Sequence, residues 1–301
     1  MSTSSNFVPK KMNFSIVFDD FKQLTKVGLS LSVVFSSLAG YLLAVDQVNY
    51  VVLVMLAIGG YLMVGASNAF NQIIEKDTDA LMKRTMNRPL PTGRMHVSMA
   101  LVIAISFTIL GLAILYSINP KSALFGAISI FLYTSVYTPL KAITPLSVFV
   151  GAIPGAIPFM LGWVAATNDF GIEPGTLFLI QFFWQFPHFW AIAWLQFDEY
   201  KKAGFNLMPM GQKNKRAVVQ IIIYTCCLII VSIIPVFKLT GNFYIYPITA
   251  IILVALGSVM LYYAVKLYKF QTNKEARQLM LSSVLYITLI QIIYVIDKFL
   301  H

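Results

Sequence analysis

Charge is what this chain has least of: Asp, Glu, Lys and Arg make up 11% of its 301 residues, and only 12 residues are acidic. With 58% hydrophobic content, it carries far more apolar surface than a soluble core of this length can bury. A water-soluble globular domain is therefore excluded. Cysteine is nearly absent as well, and Cys226 and Cys227 are adjacent within one apolar run, so they form neither a spaced metal site nor a structural bridge. Residues 1–20 have neither the apolar core of a signal peptide nor the Arg-rich pattern of a transit sequence. The first span is therefore expected to open the domain itself. No low-complexity tract and no appended soluble domain is visible.

What is abundant is long apolar runs. A helix of about 20 such residues crosses the hydrocarbon layer, and runs of that kind lie near 24–45, 50–74, 97–118, 122–139, 145–167, 175–197, 217–238, 243–265 and 278–298. The fourth is the shortest. The expected fold is all-α: a polytopic bundle of about nine transmembrane helices, with residues 1–22 as a tail and 23–301 as one membrane domain. The net charge of +10 would suit nucleic acid if the bases formed a face, but they do not. With a cytoplasmic N-terminus, all of the 22 Lys and Arg except Lys121, Lys238 and Lys298 fall on the cytoplasmic side. That asymmetry is the positive-inside pattern, and it supports both the span count and the orientation.

The scarce charges collect between Asn68 and Arg94, at the end of the second run. On a helix, residues four apart share a face with a drift of about 40° per step, so Asn71, Glu75 and Asp79 form an oxygen-bearing ridge roughly 12 Å long. Such a ridge suits a hard divalent cation such as Mg²⁺, and the following Lys83, Arg84 and Arg88 suit phosphate. Taken alone, the cluster reads more simply as a solvated helix end whose acids pair with nearby bases. A second acidic helix end, Asp198-Glu199, reaches the same side from the sixth run. Both acidic ends sit at helix C-termini, where the macrodipole already disfavours negative charge, so bases or bound Mg²⁺ must offset them. Tyr137 and Lys141 stand one turn apart at the same side, placed either to meet a phosphate or to anchor the interface.

The sixth run carries a polar stripe of Gln181, Gln185, His188, Gln196 and Glu199. Facing lipid it would be costly, so it is expected to line the bundle interior. Around His188 stand Trp184, Phe186, Phe189, Trp190 and Trp194, a lining that fits a flat apolar ligand or ordinary packing. The fifth run, Gly151 to Trp163, has small residues for close helix approach and two prolines that loosen its backbone.

Asn71-x3-Glu75-x3-Asp79, followed by Met82-Lys83-Arg84-Thr85 and Asn87-Arg88-Pro89-Leu90-Pro91, resembles the first motif of the UbiA superfamily of intramembrane prenyltransferases. Trp184-Gln185-Phe186-Pro187-His188-Phe189 is similar to a motif of its haem-farnesylating branch. Tyr137 to Lys141, Gly151 to Trp163, and Asp198-Glu199-Tyr200 through Gly204 and Met208-Pro209 extend the likeness over roughly residues 20–300. Two departures stand out: Glu75 replaces the more usual Asp, and Trp194 occupies the position four before Asp198, where quinone-type relatives carry Asp.

The resemblance implies nine helices around a central cavity, in a bacterial inner membrane with the active-site loops cytoplasmic. It implies transfer of the farnesyl group of farnesyl diphosphate to a vinyl group of haem B, with addition of water. Asn71, Glu75, Asp79 and Asp198 would be catalytic and, with Glu199, would hold Mg²⁺. Lys83, Arg84, Arg88, Tyr137 and Lys141 would bind diphosphate, and His188, Trp184 and Gln185 would meet the haem. The lipid bilayer, and haem A synthase or a terminal oxidase, would be partners. The alternatives are an aromatic quinone precursor as acceptor and a cation-coupled transporter, the latter requiring acids near the midplane.

Overall fold

A computed structural model describes residues 14–300. In chain order its helices are α1 (Phe14–Thr25), α2 (Val27–Ala44), α3 (Tyr50–Ile74), the one-turn α4 (Lys76–Asp79), α5 (Val97–Ile118), α6 (Pro120–Phe131), the short α7 (Thr138–Leu140), α8 (Ser147–Thr167), α9 (Ile172–Leu195), α10 (Phe197–Lys202), α11 (Lys215–Ile233), α12 (Pro247–Phe270) and α13 (Asn273–Leu300). There is no strand among the described residues. Starts follow local chemistry. Asn49, Asn119 and Asn214 each accept from backbone amides in the first turn that follows, satisfying groups that no helical carbonyl can reach.

By length and composition, 8 helical segments among the described residues suffice to cross a membrane. The least secure run of the sequence proves continuous, because a π-helical segment, Leu132–Tyr137, joins α6 to α7 within a Pro120–Leu140 span. The remaining expected span is α9, whose 24 residues are long enough, but whose glutamines, histidine and proline dilute its hydropathy. Large apolar side chains such as Val102, Ile109, Ile230 and Ile251 lie exposed on the outer faces, as lipid contact requires.

α8 is the hub, packing against α2, α6 and α9. Its crossing with α2 brings backbones into contact: a Cβ on Gly162 would lie 1.9 Å from the Ser37 carbonyl oxygen, so only glycine fits. Pro158 cannot donate to the Pro154 carbonyl one turn back, and the Ser129 hydroxyl of α6 donates to it instead at 3.3 Å. α9 packs on α8, α11 and α13, while α3 packs on α2 and α5. α13 returns to α2 through Gln291, whose amide donates to Ser36 Oγ at 3.1 Å and to Gln181 Oε1 at 3.2 Å.

The expected N-terminal tail is helical where it is described. Residues 1–13 lie outside the described residues, but 14–22 belong to α1. This helix buries Asp20 and Leu24 while exposing Ile16 and Phe18. Side chains of α3 receive its last carbonyls: Gln72 Nε2 donates to Gln23 O and Leu24 O at 3.0 and 2.8 Å. Arg94 clamps it from the loop after α4, through Asp20 at 2.9 Å. The apolar run read as starting at 24 therefore breaks at Lys26, which turns the chain in the left-handed region at φ 47 and ψ 57.

Candidate functional site

The oxygen ridge forms where α3 gives way to α4. Glu75 leaves helical geometry at φ −93 and ψ 11, yet the hydrogen bonds run on, from Glu75 N to Asn71 O at 2.9 Å and from Asp79 N to Glu75 O at 2.7 Å. Asn71, Glu75 and Asp79 thus share one side, and all are buried. The next segment folds back on them. The Thr85 hydroxyl donates to the Asp79 carbonyl at 2.8 Å, and this tight turn returns Arg88 so that Nη1 meets Asp79 Oδ2 at 2.6 Å. The Arg-Thr-x-x-Arg extension is therefore one self-closing unit.

Lys141 comes from the opposite wall, just past α7. Its Nζ donates to Glu75 Oε1 at 2.7 Å and to Asn71 Oδ1 at 3.0 Å, while Asn71 Nδ2 donates to Glu75 Oε2 at 2.6 Å. Both Glu75 oxygens are thereby committed. Asp79 differs: its Oδ1 is buried with no hydrogen-bond partner. Burial pushes the Asp79 carboxyl above the ordinary carboxylate range, against the pull of the Arg88 guanidinium.

The second acidic end meets the first, although not by the residue expected to lead. Glu199 Oε2 accepts the Lys83 backbone amide at 2.7 Å and Oε1 accepts Lys202 Nζ at 2.9 Å. Those bonds hold the Glu199 carboxylate below its usual range. Asp198 is exposed instead. Beyond α10 the chain docks through Asn206 N on Lys141 O at 3.0 Å, so the two charged loops close over one mouth. The side chains of Lys83 and Arg84 are exposed at its rim. The five expected metal ligands are not gathered into a single shell, and among the described residues no three His, Cys, Asp or Glu side chains converge as a cation site.

Two residues belong to this site that sequence reasoning did not assign to it. Lys26 sits among Arg88, Lys141, Glu75 and Asp79. Burial, then the Arg88 and Lys141 charges, push its ammonium down to about 7, against Glu75 and Asp79. Read linearly it was one more base beside a span; only the left-handed turn brings it in. Tyr133 stands next to Tyr137, ring centroids 5.2 Å apart, and the Lys141 ammonium lies 4.5 Å from the Tyr137 centroid. The π-helical stretch that carries both has wider turns than an α-helix. A Tyr four before Tyr137 was the available signal.

The polar stripe of α9 does face the interior, but it divides. Gln185 Nε2 donates to Ala152 O of α8 at 2.8 Å, and Gln181 joins the Gln291 link to α13 and α2. His188 and Trp184 turn toward α13, stacked at 4.7 Å and 17°. Gln196 ends α9 and Glu199 rides on α10, so no single helical face runs the whole length.

Comparison with known proteins agrees with this architecture. The model of the UbiA prenyltransferase family matches residues 33–290. A protein from Flavobacterium psychrophilum named protoheme IX farnesyltransferase is 66% identical, covering 95% of this chain and 96% of its own. Another of that name, from Christiangramia forsetii, is 63% identical over 95% of each. Among solved structures, one concerning a digeranylgeranylglyceryl phosphate synthase superposes with a TM-score of 0.76 at 17% identity, over 93% of this chain and 98% of that one. A UbiA homolog from Archaeoglobus fulgidus bound to DMAPP and Mg²⁺ gives 0.63 at 16%, over 91% and 99%; at such identities the likeness speaks for the fold. With the family model spanning most of the chain and relatives this similar, this all-helical membrane protein belongs to the UbiA prenyltransferase family.

Proposed function

We propose that this protein transfers the farnesyl group of farnesyl diphosphate to a vinyl group of haem B, with addition of water, giving haem O and diphosphate. The observation that carries the reading is the interlock at the mouth: Asn71, Glu75 and Asp79 facing Lys141, Arg88 and Lys26 under two joined loops. Acids and bases held this close in one buried site fit a substrate that arrives as a metal-bound polyanion. The relatives named protoheme IX farnesyltransferase support the choice of haem as acceptor.

The residues present fit Mg²⁺ on one specific ground. Asp79 offers a buried carboxylate oxygen without a partner, next to Asn71 and Glu75, and Mg²⁺ commonly takes only one or two protein carboxylates, completing its shell with water and substrate phosphate. The lack of a fuller acidic cluster is then expected. When bound, the ion supplies charge neutralisation to the leaving diphosphate. Asp198, exposed beside the mouth, would contribute only through the loop that carries it.

This chain's own side chains do the rest. Lys141, Arg88 and Lys26 bind diphosphate oxygens from within, and Lys83 and Arg84 from the rim, so negative charge developing on the bridging oxygen meets fixed cations. Breaking the C1–O bond leaves its electron pair on diphosphate and an allylic cation on the farnesyl chain. The Tyr133 and Tyr137 rings stand beside Lys141, where that cation forms, and offer it their negative faces. The vinyl carbon of haem B then bonds to C1, and water captures the resulting porphyrin-conjugated cation, releasing a proton. His188, Trp184 and Gln185 position the haem. Residues 23–301, with α1 docked on them, act as one catalytic domain; the mouth is cytoplasmic in a bacterial inner membrane, and haem A synthase or a terminal oxidase receives the product.

The test is purified protein in lipid discs with Mg²⁺, farnesyl diphosphate and haem B. The expected product is haem heavier by one farnesyl group and one hydroxyl group, formed with an equal amount of diphosphate. Product from a hydroxybenzoate acceptor but none from haem would overturn the haem reading, and no diphosphate release with either would remove prenyl transfer altogether.

A further inference from the structure

His188 is held in a way that packing does not require. Its Nδ1 lies 2.9 Å from Ser283 Oγ, and the same hydroxyl lies 2.6 Å from the Met280 carbonyl oxygen, to which it donates. A serine hydroxyl has one hydrogen. With that hydrogen given to Met280, Ser283 Oγ can only accept from the ring, so Nδ1 carries the proton. In the neutral ring Nε2 then keeps its lone pair, and among the described residues the imidazole's side-chain hydrogen bond is made through Nδ1.

The ring plane is fixed too. Trp184 stacks on it at 4.7 Å and 17°, and Trp184 is itself pinned, its Nε1 donating to Ser283 O at 2.6 Å. Ser283 therefore locks both rings through its two oxygens. A neutral imidazole with one nitrogen bonded to a protein oxygen and the other bare is the arrangement of a metal-ligating histidine. His188 is partly buried at the α9–α13 contact. It stands about 10 Å along the helix from the end of α9, the helix that leads into the Glu199 loop at the mouth.

The geometry points to His188 Nε2 as an axial ligand to the haem iron of the acceptor substrate, with Ser283 and Trp184 as positioning residues that set its tautomer and plane. The inference rests on the acceptor reading above and adds to it a named atom, a coordination bond and two supports. Coordination at the iron fixes the distance between the porphyrin edge and the diphosphate site while leaving the vinyl carbons unengaged. No electrons or protons change hands on binding: the Nε2 lone pair enters the iron's axial position.

The experiment is haem B titration into the purified full-length chain, followed by visible absorbance and by resonance Raman of the ferrous complex. Unaltered protein should bind one haem and show an iron–histidine stretching band. His188→Ala should lose that band and regain it with added imidazole, and His188→Met should bind haem with the spectrum of thioether ligation. Ser283→Ala should keep the band but shift it, and weaken haem binding by about tenfold. Binding of unreactive farnesyl thiodiphosphate, unchanged in every variant, certifies the fold. An unchanged haem spectrum in His188→Ala would overturn the ligation and leave the acceptor reading standing. Failure of the unaltered chain to bind haem at all would overturn both.

Discussion

Lys141→Met is the most informative single change. In the structure Nζ makes two hydrogen bonds, to Glu75 and Asn71 at 2.7 and 3.0 Å, within an ion pair whose side chains are only 9% and 8% exposed. Methionine preserves the volume of the aliphatic stem but leaves the buried Glu75 carboxylate with Asn71 as its remaining side-chain hydrogen-bond partner. Removing one partner from a buried pair costs about 3–5 kcal/mol, so the variant should unfold markedly earlier in detergent. Adding Glu75→Gln removes the orphaned charge, and the double variant should recover most of that loss. Activity should behave differently. Losing a cation aimed at the leaving group lowers turnover by about 10²–10³-fold, and the second substitution cannot restore it. The assay is therefore a double-mutant cycle run in parallel on chemical unfolding and on diphosphate release. Equal stability of Lys141→Met and the unaltered protein would refute the buried-pair reasoning, and recovery of turnover in the double variant would refute the catalytic role.

Asp79→Asn should abolish turnover in a protein that still folds and inserts; retained turnover would remove this carboxylate from the mechanism. Lys26→Met should raise the KM for farnesyl diphosphate more than it lowers kcat, as steady-state kinetics would reveal. Tyr133→Phe should retain activity, while Tyr133→Leu should lower kcat by about tenfold, the value expected for losing one cation–π contact of roughly 1–2 kcal/mol; equal effects of both would shift the role to the hydroxyl. Gly162→Leu should yield little folded protein by size exclusion, because any side chain there collides with the α2 backbone.

Much of this was legible in the chain. Apolar runs located the spans, since a bilayer imposes a minimum length on any helix that crosses it. The Asn71–Arg88 spacing located the mouth because its geometry is local, a helix end and a tight turn. What escaped depended on distant chain or on irregular backbone. Lys26 reaches the site only through a left-handed turn at a non-glycine residue. Glu199 rather than Asp198 reaches the first loop because α9 breaks at Gln196, rotating the residues that follow. The π-helical stretch leaves no periodic trace, and the pairing of His188 with Ser283 joins residues far apart in sequence that no spacing rule connects.

The last helix has a consequence for how this protein is made. α13 seals the circle by touching α2 through Gln291 and Ser36, and its Lys298 reaches the final turn of α2, at the Leu43 carbonyl. Until ribosome and insertion machinery deliver those closing residues, α9 and α2 lack the α13 surface against which they pack. A chain stopped after α12 would carry every acid and base of the mouth yet leave Ser36 and Gln181 without the Gln291 amide that joins them, so quality control should recognise late truncations as readily as early ones.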